Sequence, residues 1–394
     1  DRTDPVPTAL VSDTPNKMEA TVARIWQTLL GVDRVEATDN FFDLGGDSII
    51  ATRLMAALRA RGLVDAQLAR LFTHPVLREF AATITAEPRS VAPTRRLRHD
   101  PDELYEPFDL TDIQTAYWLG RSEHFELGGI GAQLYVEYDW PGLDLDRLEH
   151  AWNQLIIRHA MLRAIVTDGT QRVLPHVPQY RIEVTDVDGD LDNAAEELRD
   201  QMAGTTLNAA VWPLFDIRVL RGRDTHVCAV FDNLIADGLS TLILIAEWTQ
   251  LYTDPNTELA PVAIEFRDYA TACAPSDDEI RTALTYWTTR LADLPPGPQL
   301  PLRVTPEAVH RPRFHRREVR LPRDIWQRIV ARARGYGLTP SVVLLACYTE
   351  ILGRWSTQRD LTVTLTQFDR REVHPDIMRV VGDFTSLLQW WTAQ

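Results

Sequence analysis

The chain has 394 residues, more than one ordinary domain and enough for two, and its 45% hydrophobic and 25% charged content is that of globular domains with sizeable cores. A formal net charge of -15 argues against nucleic acid or an anionic membrane as the main partner, because both demand clustered cationic surface. Lys17 is the only lysine, which excludes a lysine nucleophile over almost the whole chain, and Cys228, Cys273 and Cys347 lie too far apart for a zinc site or a disulfide framework. Such cysteine usage fits a reducing cytoplasm, and no metal site is expected. The N-terminal residues hold no apolar run of signal-peptide kind. The longest apolar stretches, residues 242–246 and 342–346, are too short to span a bilayer. From the absent initiator methionine a piece of something longer is expected.

Residues 1–15 are polar and proline-marked, as a linker is. Thr14, Pro15 and Glu19 form a helix start, and Met18, Val22, Ile25, Trp26, Leu29 and Leu30 recur at helical spacing until Gly31 stops the run. After a polar loop a second amphipathic helix is predicted from Ser48, with Ile50, Leu54 and Leu58 on one face. A short helix near 65–71 and another over 75–84 complete an all-α four-helix bundle across residues 16–86. Ser48 sits where loop becomes helix, behind Gly45 and Gly46, which allow a tight turn and leave the hydroxyl uncovered. A phosphodiester there would meet free N–H groups at a helix N-terminus, worth roughly 0.3–1 kcal/mol. The bland alternative is that Asp47 and Ser48 merely cap the helix.

Residues 87–104 carry three prolines, mixed charge and no periodicity, and read as a linker in which Arg95, Arg96 and Arg98 are solvated. From residue 105 onward helical and strand-like stretches alternate, predicting an α/β domain over 105–394. Helices are expected at 111–119, 145–157, 239–251, 324–336 and 340–355. Strands are expected at 133–138, 161–166 (closed by the turn Asp168-Gly169), 215–220, 226–231, 317–321 and 361–366. No glycine-rich phosphate loop, dinucleotide fingerprint or Gly-x-Ser-x-Gly elbow appears. Asp232 and Asp237 bracket an apolar turn between an apolar strand and a helix. Buried carboxylates need arginines or backbone donors, so a salt-bridged loop with Ser240 at the helix start is the structural reading.

The string Asp39-Asn40-Phe41-Phe42-Asp43-Leu44-Gly45-Gly46-Asp47-Ser48 resembles the signature of peptidyl carrier domains of nonribosomal peptide synthetases. The resemblance implies 4'-phosphopantetheine on Ser48 and a phosphopantetheinyl transferase that reads Asp47. In the second segment, Phe108-Asp-Leu-Thr-Asp-Ile-Gln114 with Ala116, Tyr117, Gly120 and Arg121 resembles the first motif of heterocyclization domains. These are condensation-domain relatives that build thiazoline and oxazoline rings. Arg158-His159-Ala160-Met161-Leu162-Arg163 resembles the second motif. Asp232, Asp237 and Ser240 match the family's Asp-x-x-x-x-Asp-x-x-Ser, which stands in place of the His-His-x-x-x-Asp-Gly of ordinary condensation domains. In that register Asp232 and Asn233 take the two histidine positions. The Leu294–Leu302 stretch with its prolines resembles the third motif, Thr339-Pro340-Ser341 with Leu352 and Trp355 the fourth, and Gly382-Asp383-Phe384-Thr385 the fifth.

The resemblance implies a chloramphenicol-acetyltransferase-like fold of two lobes, with the second lobe incomplete in this chain. It also implies a two-stage reaction: amide formation with a carrier-bound Cys, Ser or Thr, then ring closure with loss of water. The implied partners are flanking adenylation domains and a downstream carrier. Amide formation needs mostly positioning. Ring closure needs a proton donor, for which Asp237 qualifies chemically. The family, however, assigns the Asp pair largely to holding the loop, with Arg370 or Arg371 as the counterion. The Thr and Asp credited with cyclodehydration belong to two later motifs absent here, so this chain alone is expected to form rings poorly. His159 is expected to complement a helix C-terminus as a cation more than to exchange protons. Trp118, Trp152, Trp390 and Trp391 are expected to pack. A condensation-only domain and a non-catalytic interaction platform are the alternatives, separable by product mass and by acylation of Ser48.

Overall fold

The computed structural model describes residues 17–46, 48–59, 61, 63, 68–84, 97–309, 312–314, 317–371 and 373–392. Two compact units are present, one within residues 1–94 and the other built on residues 95–333 and 340–394. Among the described residues no helix is long and apolar enough to cross a membrane.

The first unit holds α1 (Lys17–Leu30), α2 (Ser48–Arg59), α3 (Leu68–Thr73) and α4 (Leu77–Thr83). The apolar stripe read from the sequence is its core: Val22, Ile25 and Trp26 bury against Leu54, Leu58, Leu71 and Phe80. Phe41 joins them, its ring 5.0 Å from that of Trp26. Gly31 has a φ of +64°, so the residue that stops α1 also supplies the left-handed conformation of its end. The helix expected at 65–71 is described from Leu68, its expected start lying among residues 64–67 outside the described set, and the one expected at 75–84 begins at Leu77. The loop before α2 is fastened at its middle, since Phe41 N donates to Pro75 O (2.8 Å) and Leu77 N to Asp39 O (2.8 Å).

In the second unit the elements follow as β1 (Phe108–Asp109), α5 (Asp112–Leu119), β2 (Gln133–Asp139), α6 (Leu145–Arg158), β3 (Ala164–Thr167) and β4 (Thr170–Val173). Next come β5 (Glu183–Asp186), α7 (Leu191–Ala203), β6 (Phe215–Arg221), β7 (Thr225–Asp232), α8 (Gly238–Thr253) and α9 (Phe266–Ala272). The last are α10 (Asp277–Arg290), α11 (Arg323–Gly335), α12 (Pro340–Trp355), β8 (Thr362–Phe368) and β9 (Thr385–Trp391). A four-stranded sheet runs β2-β7-β6-β5, antiparallel except for the parallel β5–β6 pair. Strand β7 is apolar at nearly every position because both faces are covered. Val227, Ala229 and Phe231 join Trp152 of α6 and Leu244 and Trp248 of α8 in one core, while Cys228 and Val230 join Ala195, Leu198 and Met202 of α7 in another. Trp152 is the hub of the first, with ring centroids 5.2 Å from Phe215, 5.7 Å from Phe231 and 4.8 Å from Trp248. A three-stranded sheet, β1-β4-β3, and the β8–β9 pair complete the unit.

Several expectations need correction. The stretch 161–166 is a strand only from Ala164; residues 160–163 form a 3-10 turn. That turn carries the buried Arg163 guanidinium onto the carbonyls of Ile156 and Ile157 (2.8 Å to the latter) at the end of α6, which a strand would forgo. The hairpin turn itself is as expected, with Asp168 and Gly169 both at positive φ, at 51° and 77°. The strand expected at 317–321 is absent. Val319 is 88% exposed there, and with no partner strand the ladder hydrogen bonds that would hold it are missing among the described residues. The linker expected over 87–104 ends early: Leu97 is buried in the second unit, His99 Nδ1 lies 2.8 Å from Asp268 Oδ2, and Arg267 bonds Glu103 (2.9 Å). Helices α7 and α10 and strand β9 were not expected. The α10 sequence is polar, with none of its residues buried, so it offers no apolar stripe to read.

Candidate functional site

Gln114, on α5, anchors the site from below. Thr111 and Gln114 form a capping box, which fixes the start of α5 and leaves the buried Gln114 amide facing inward. Its Nε2 donates to Leu234 O (2.7 Å), in the middle of the Asp232–Asp237 turn, and it exchanges hydrogen bonds with the buried Gln171. The apolar turn is therefore held by a side chain 120 residues distant in sequence.

Each aspartate has its own arginine. Asp232, the last residue of β7, pairs with Arg121 through Oδ2 and accepts from Leu234 N (2.9 Å) through Oδ1. Burial raises its pKa, against the pull of Arg121. Asp237 caps α8: its Oδ1 accepts from Ser240 N (2.6 Å) and from Arg370 Nη2 (3.0 Å), and its Oδ2 from Phe384 N (3.3 Å). Arg370 Nη2 also donates to Ser240 Oγ (2.8 Å), and its Nη1 donates to Ile377 O (2.9 Å) and Val380 O (2.6 Å). Of the two arginines the sequence offered, Arg370 is the partner; Arg371 is half-exposed and lies 3.9 Å from Glu279. Ser240 Oγ donates to Gly382 O (2.7 Å) and accepts from Gly382 N (3.1 Å), tying the turn to the Gly382-Asp383-Phe384-Thr385 string.

That string brings Asp383 and Thr385 beside Tyr117. Burial and the nearby Asp383 push the Tyr117 phenol up, while hydrogen bonding to Asn233 and Thr385 pulls it back. Asp383 Oδ1 accepts from Thr385 N (3.2 Å). Burial pushes the Asp383 carboxyl up to about 7; Asp237 adds to this, and Thr385 and Arg370 oppose it. A cavity of about 940 Å³ opens alongside, lined by Phe108, Ile113, Ala116, Tyr269, Asp383 and Thr385 among others.

His159 sits elsewhere. It caps the C-terminus of α6 as expected, but its Nε2 lies 2.8 Å from Glu247 and burial lowers its pKa. It is held by that hydrogen bond more than by a charge set against the helix dipole. Among the described residues one trio, Glu137, His226 and Cys228, has its potential metal-ligating atoms within 4.8 Å of one another. Both oxygens of that glutamate are taken up by Arg199 (2.8 and 3.0 Å to Nη2), which makes the trio an ion-paired network on the sheet. Glu265 is a titrating group the sequence did not single out: burial raises its pKa to about 7.

Two buried acids with raised pKa fix the sign of a pH effect. Unfolded, they titrate near 3.8 and 4.5; folded, near 7. Folding therefore favours their protonated forms, and the stability they contribute is full below the unfolded values and lost as pH rises through about 7. Urea denaturation of the second unit is expected to show stability falling by about a few kcal/mol over that range. Asp383→Asn is expected to flatten the slope.

In the first unit, Ser48 opens the 12-residue helix α2. Gly45 has a φ of +99°, and a Cβ on Gly46 would lie 2.4 Å from the Phe41 ring, so neither position accepts a larger residue without displacing the loop. Asp47 and the Ser48 side chain lie outside the described set. A serine at a helix N-terminus behind a tight glycine turn suits a phosphate ester chemically.

The phosphopantetheine attachment site model matches residues 20–84, and the condensation domain model matches residues 108–394. Bacitracin synthase 1 of Bacillus licheniformis is 35% identical over 385 residues, 95% of this chain and 7% of that protein. Pyochelin synthetase PchF of Pseudomonas aeruginosa is 39% identical over 304 residues, covering 74% of this chain and 16% of that protein. The solved structure of the EpoB NRPS cyclization-docking bidomain from Sorangium cellulosum superposes with a TM-score of 0.68 at 32% identity, covering 86% of this chain and 65% of that one. The chain thus spans only a small part of the curated relatives it matches. It belongs to the condensation-domain family, with a phosphopantetheine attachment domain preceding the condensation domain.

Proposed function

We propose that the carrier, residues 16–86, presents an acyl or peptidyl group to the domain over residues 105–394. That domain condenses it with a carrier-bound Cys, Ser or Thr and cyclodehydrates the product to a thiazoline or oxazoline. The observation that carries this reading is the Asp232–Asp237 turn. It holds two carboxylates, each with its own arginine, and no histidine, and it stands beside a cavity edged by Asp383 and Thr385. The names of relatives agree: a cyclization bidomain, and a phenyloxazoline synthase of Mycobacterium tuberculosis that is 33% identical over 376 residues. We read the first unit as a four-helix carrier bundle and the second as a chloramphenicol-acetyltransferase-like, two-lobed fold.

Bound phosphopantetheine supplies a long flexible arm whose thiol carries acyl groups as thioesters. Ser48 would hold it, with Gly45 and Gly46 shaping the approach and Asp47 read by the phosphopantetheinyl transferase. The chain's own contribution on the second domain is positional. Arg121, Arg370 and Gln114 fix the turn, so that Asn233, Tyr117 and Thr385 keep a constant arrangement next to the cavity. The further partners in this reading are adenylation domains on either side and a downstream carrier.

Incubating the chain with coenzyme A and a phosphopantetheinyl transferase is expected to add one phosphopantetheine to the tryptic peptide containing Ser48, and none to Ser48→Ala. Product mass then decides the chemistry. A ring product is lighter than the amide by one water; an amide of full mass as sole product would mean condensation alone, and an unmodified Ser48 would favour a docking platform.

A further inference from the structure

Two buried oxygens at the site, Asn233 Oδ1 and Asp383 Oδ2, have no hydrogen-bond partner among the described residues. An acceptor buried without a donor costs about 1–3 kcal/mol, so two of them bracketing one phenol call for a donor brought by a ligand. Asn233 has no proton affinity to offer. Asp232 is committed to Arg121, and both oxygens of Asp237 are taken by Ser240 N, Phe384 N and Arg370. Among the described residues, Asp383 is the buried carboxylate at the site with an oxygen to spare, and it lines the cavity.

The charged and titratable groups facing it come from three directions. They are Asp237 at the start of α8, Arg370 between β8 and β9, and Tyr117 on α5. Both terminal nitrogens of Arg370 are taken by Asp237, Ser240 and the carbonyls of Ile377 and Val380, while its buried Nε has no hydrogen-bond partner among the described residues, so Arg370 tempers Asp383 through space. The site therefore offers a cation one unengaged carboxyl oxygen in low-dielectric surroundings.

We infer that Asp383 is the acceptor-amine receptor of this domain: its Oδ2 hydrogen-bonds the α-ammonium of the incoming amino acid and takes one proton from it. In that step an N–H bond breaks on the ammonium, an O–H bond forms on Oδ2, and the nitrogen keeps the electron pair with which it acts as a nucleophile. The inference rests on the proposed function and names the group that handles the acceptor. An acid pushed by burial to about 7 is well matched to an α-amine, whose ordinary pKa lies near 7.7–8.0.

The test uses two probes, the pantetheine amide of L-serine and its deaminated counterpart, the pantetheine amide of 3-hydroxypropanoate. Calorimetric titration of the full chain at neutral pH is expected to show the amine-bearing probe binding about tenfold more tightly. In Asp383→Asn that preference is expected to shrink to about twofold or less, and Asp383→Glu to restore part of it. Infrared difference spectra of the wild-type chain add a readout that needs no variant. The protonated-carboxyl band is expected to grow when the serine probe binds and to stay unchanged with the deaminated one. Equal affinity of the wild type for both probes, an unchanged preference in Asp383→Asn, or a band indifferent to the amine would each overturn the inference while leaving the proposed function standing. If the folded wild type binds neither probe, the proposed function falls with it. Should Asp383→Asn fail to fold, the wild-type affinities and spectra decide.

Discussion

Replacing Arg370 with methionine is expected to destabilise the second unit by about 3–5 kcal/mol, since it strands a carboxylate with no solvent access. Asp237 is fully buried, and the Arg370 side chain is nearly so. The guanidinium supports Asp237, Ser240 and two backbone carbonyls, and it stacks 3.9 Å over the Phe384 ring. Methionine fills part of the volume and offers none of those donors. If the stranded charge is the main penalty, adding Asp237→Asn to Arg370→Met should recover a measurable part of the loss at neutral pH. The amide carries no charge to strand, and its oxygen can still cap α8. Urea denaturation of the three variants, followed by tryptophan fluorescence, makes the comparison. A cost below about 1 kcal/mol for the single substitution would mean that the pair contributes little beyond packing. The same variants bear on activity, because the pair holds the Asp turn against the Gly382–Thr385 string.

Gly382→Ala is expected to cost about 1–3 kcal/mol or more and to depress activity out of proportion to its size. A Cβ at this position would stand 2.2 Å from Phe266 Cδ2 and 2.4 Å from Cγ, in a ring that is itself fully buried. Phe266 cannot swing away: it packs against Phe384 (5.0 Å) and Phe108 (6.5 Å). The backbone must then give, and the Gly382 N–H and C=O are the groups that bond Ser240 and Asp237. Trimming the obstacle with Phe266→Leu should restore part of the stability of Gly382→Ala, although Phe266→Leu alone is destabilising through the cavity it leaves. Denaturation midpoints for the two single variants and the double measure the coupling. Strictly additive costs would show that the clash is relieved elsewhere.

What could be read in the sequence followed from local physics. Periodicity fixes α1, α6 and α8 almost to the residue, because each buries an apolar face; α12 is read from its run of helix-forming apolar residues, although Thr349 is its buried position and Val342, Leu344, Tyr348 and Ile351 are exposed. Strand β7 was legible from its apolar run, and the turn at Asp168-Gly169 from residues that tolerate positive φ. The carrier string and the Asp232–Asp237 turn were legible as resemblances, with Arg370 foreseen as one of two candidate partners. Helix α10 is not legible, and residues 317–321 read as a strand, because neither signal is informative there. One helix has no buried stripe, and the expected strand had composition without a neighbour to pair with.

By itself the sequence determined that Ser48 stands at a loop-to-helix junction in a small helical domain, and that two aspartates must be neutralised between a strand and a helix. Only the tertiary structure decided by what. Arg121 and Arg370 lie 111 and 133 residues from the aspartates they bind, and Gln114 lies 120 from the carbonyl it holds. Likewise, only the fold sets Asp383 beside Tyr117, with one oxygen unengaged at the edge of a cavity. Hydrogen bonds and burial depend on which distant segments meet, and local propensity carries no record of that meeting.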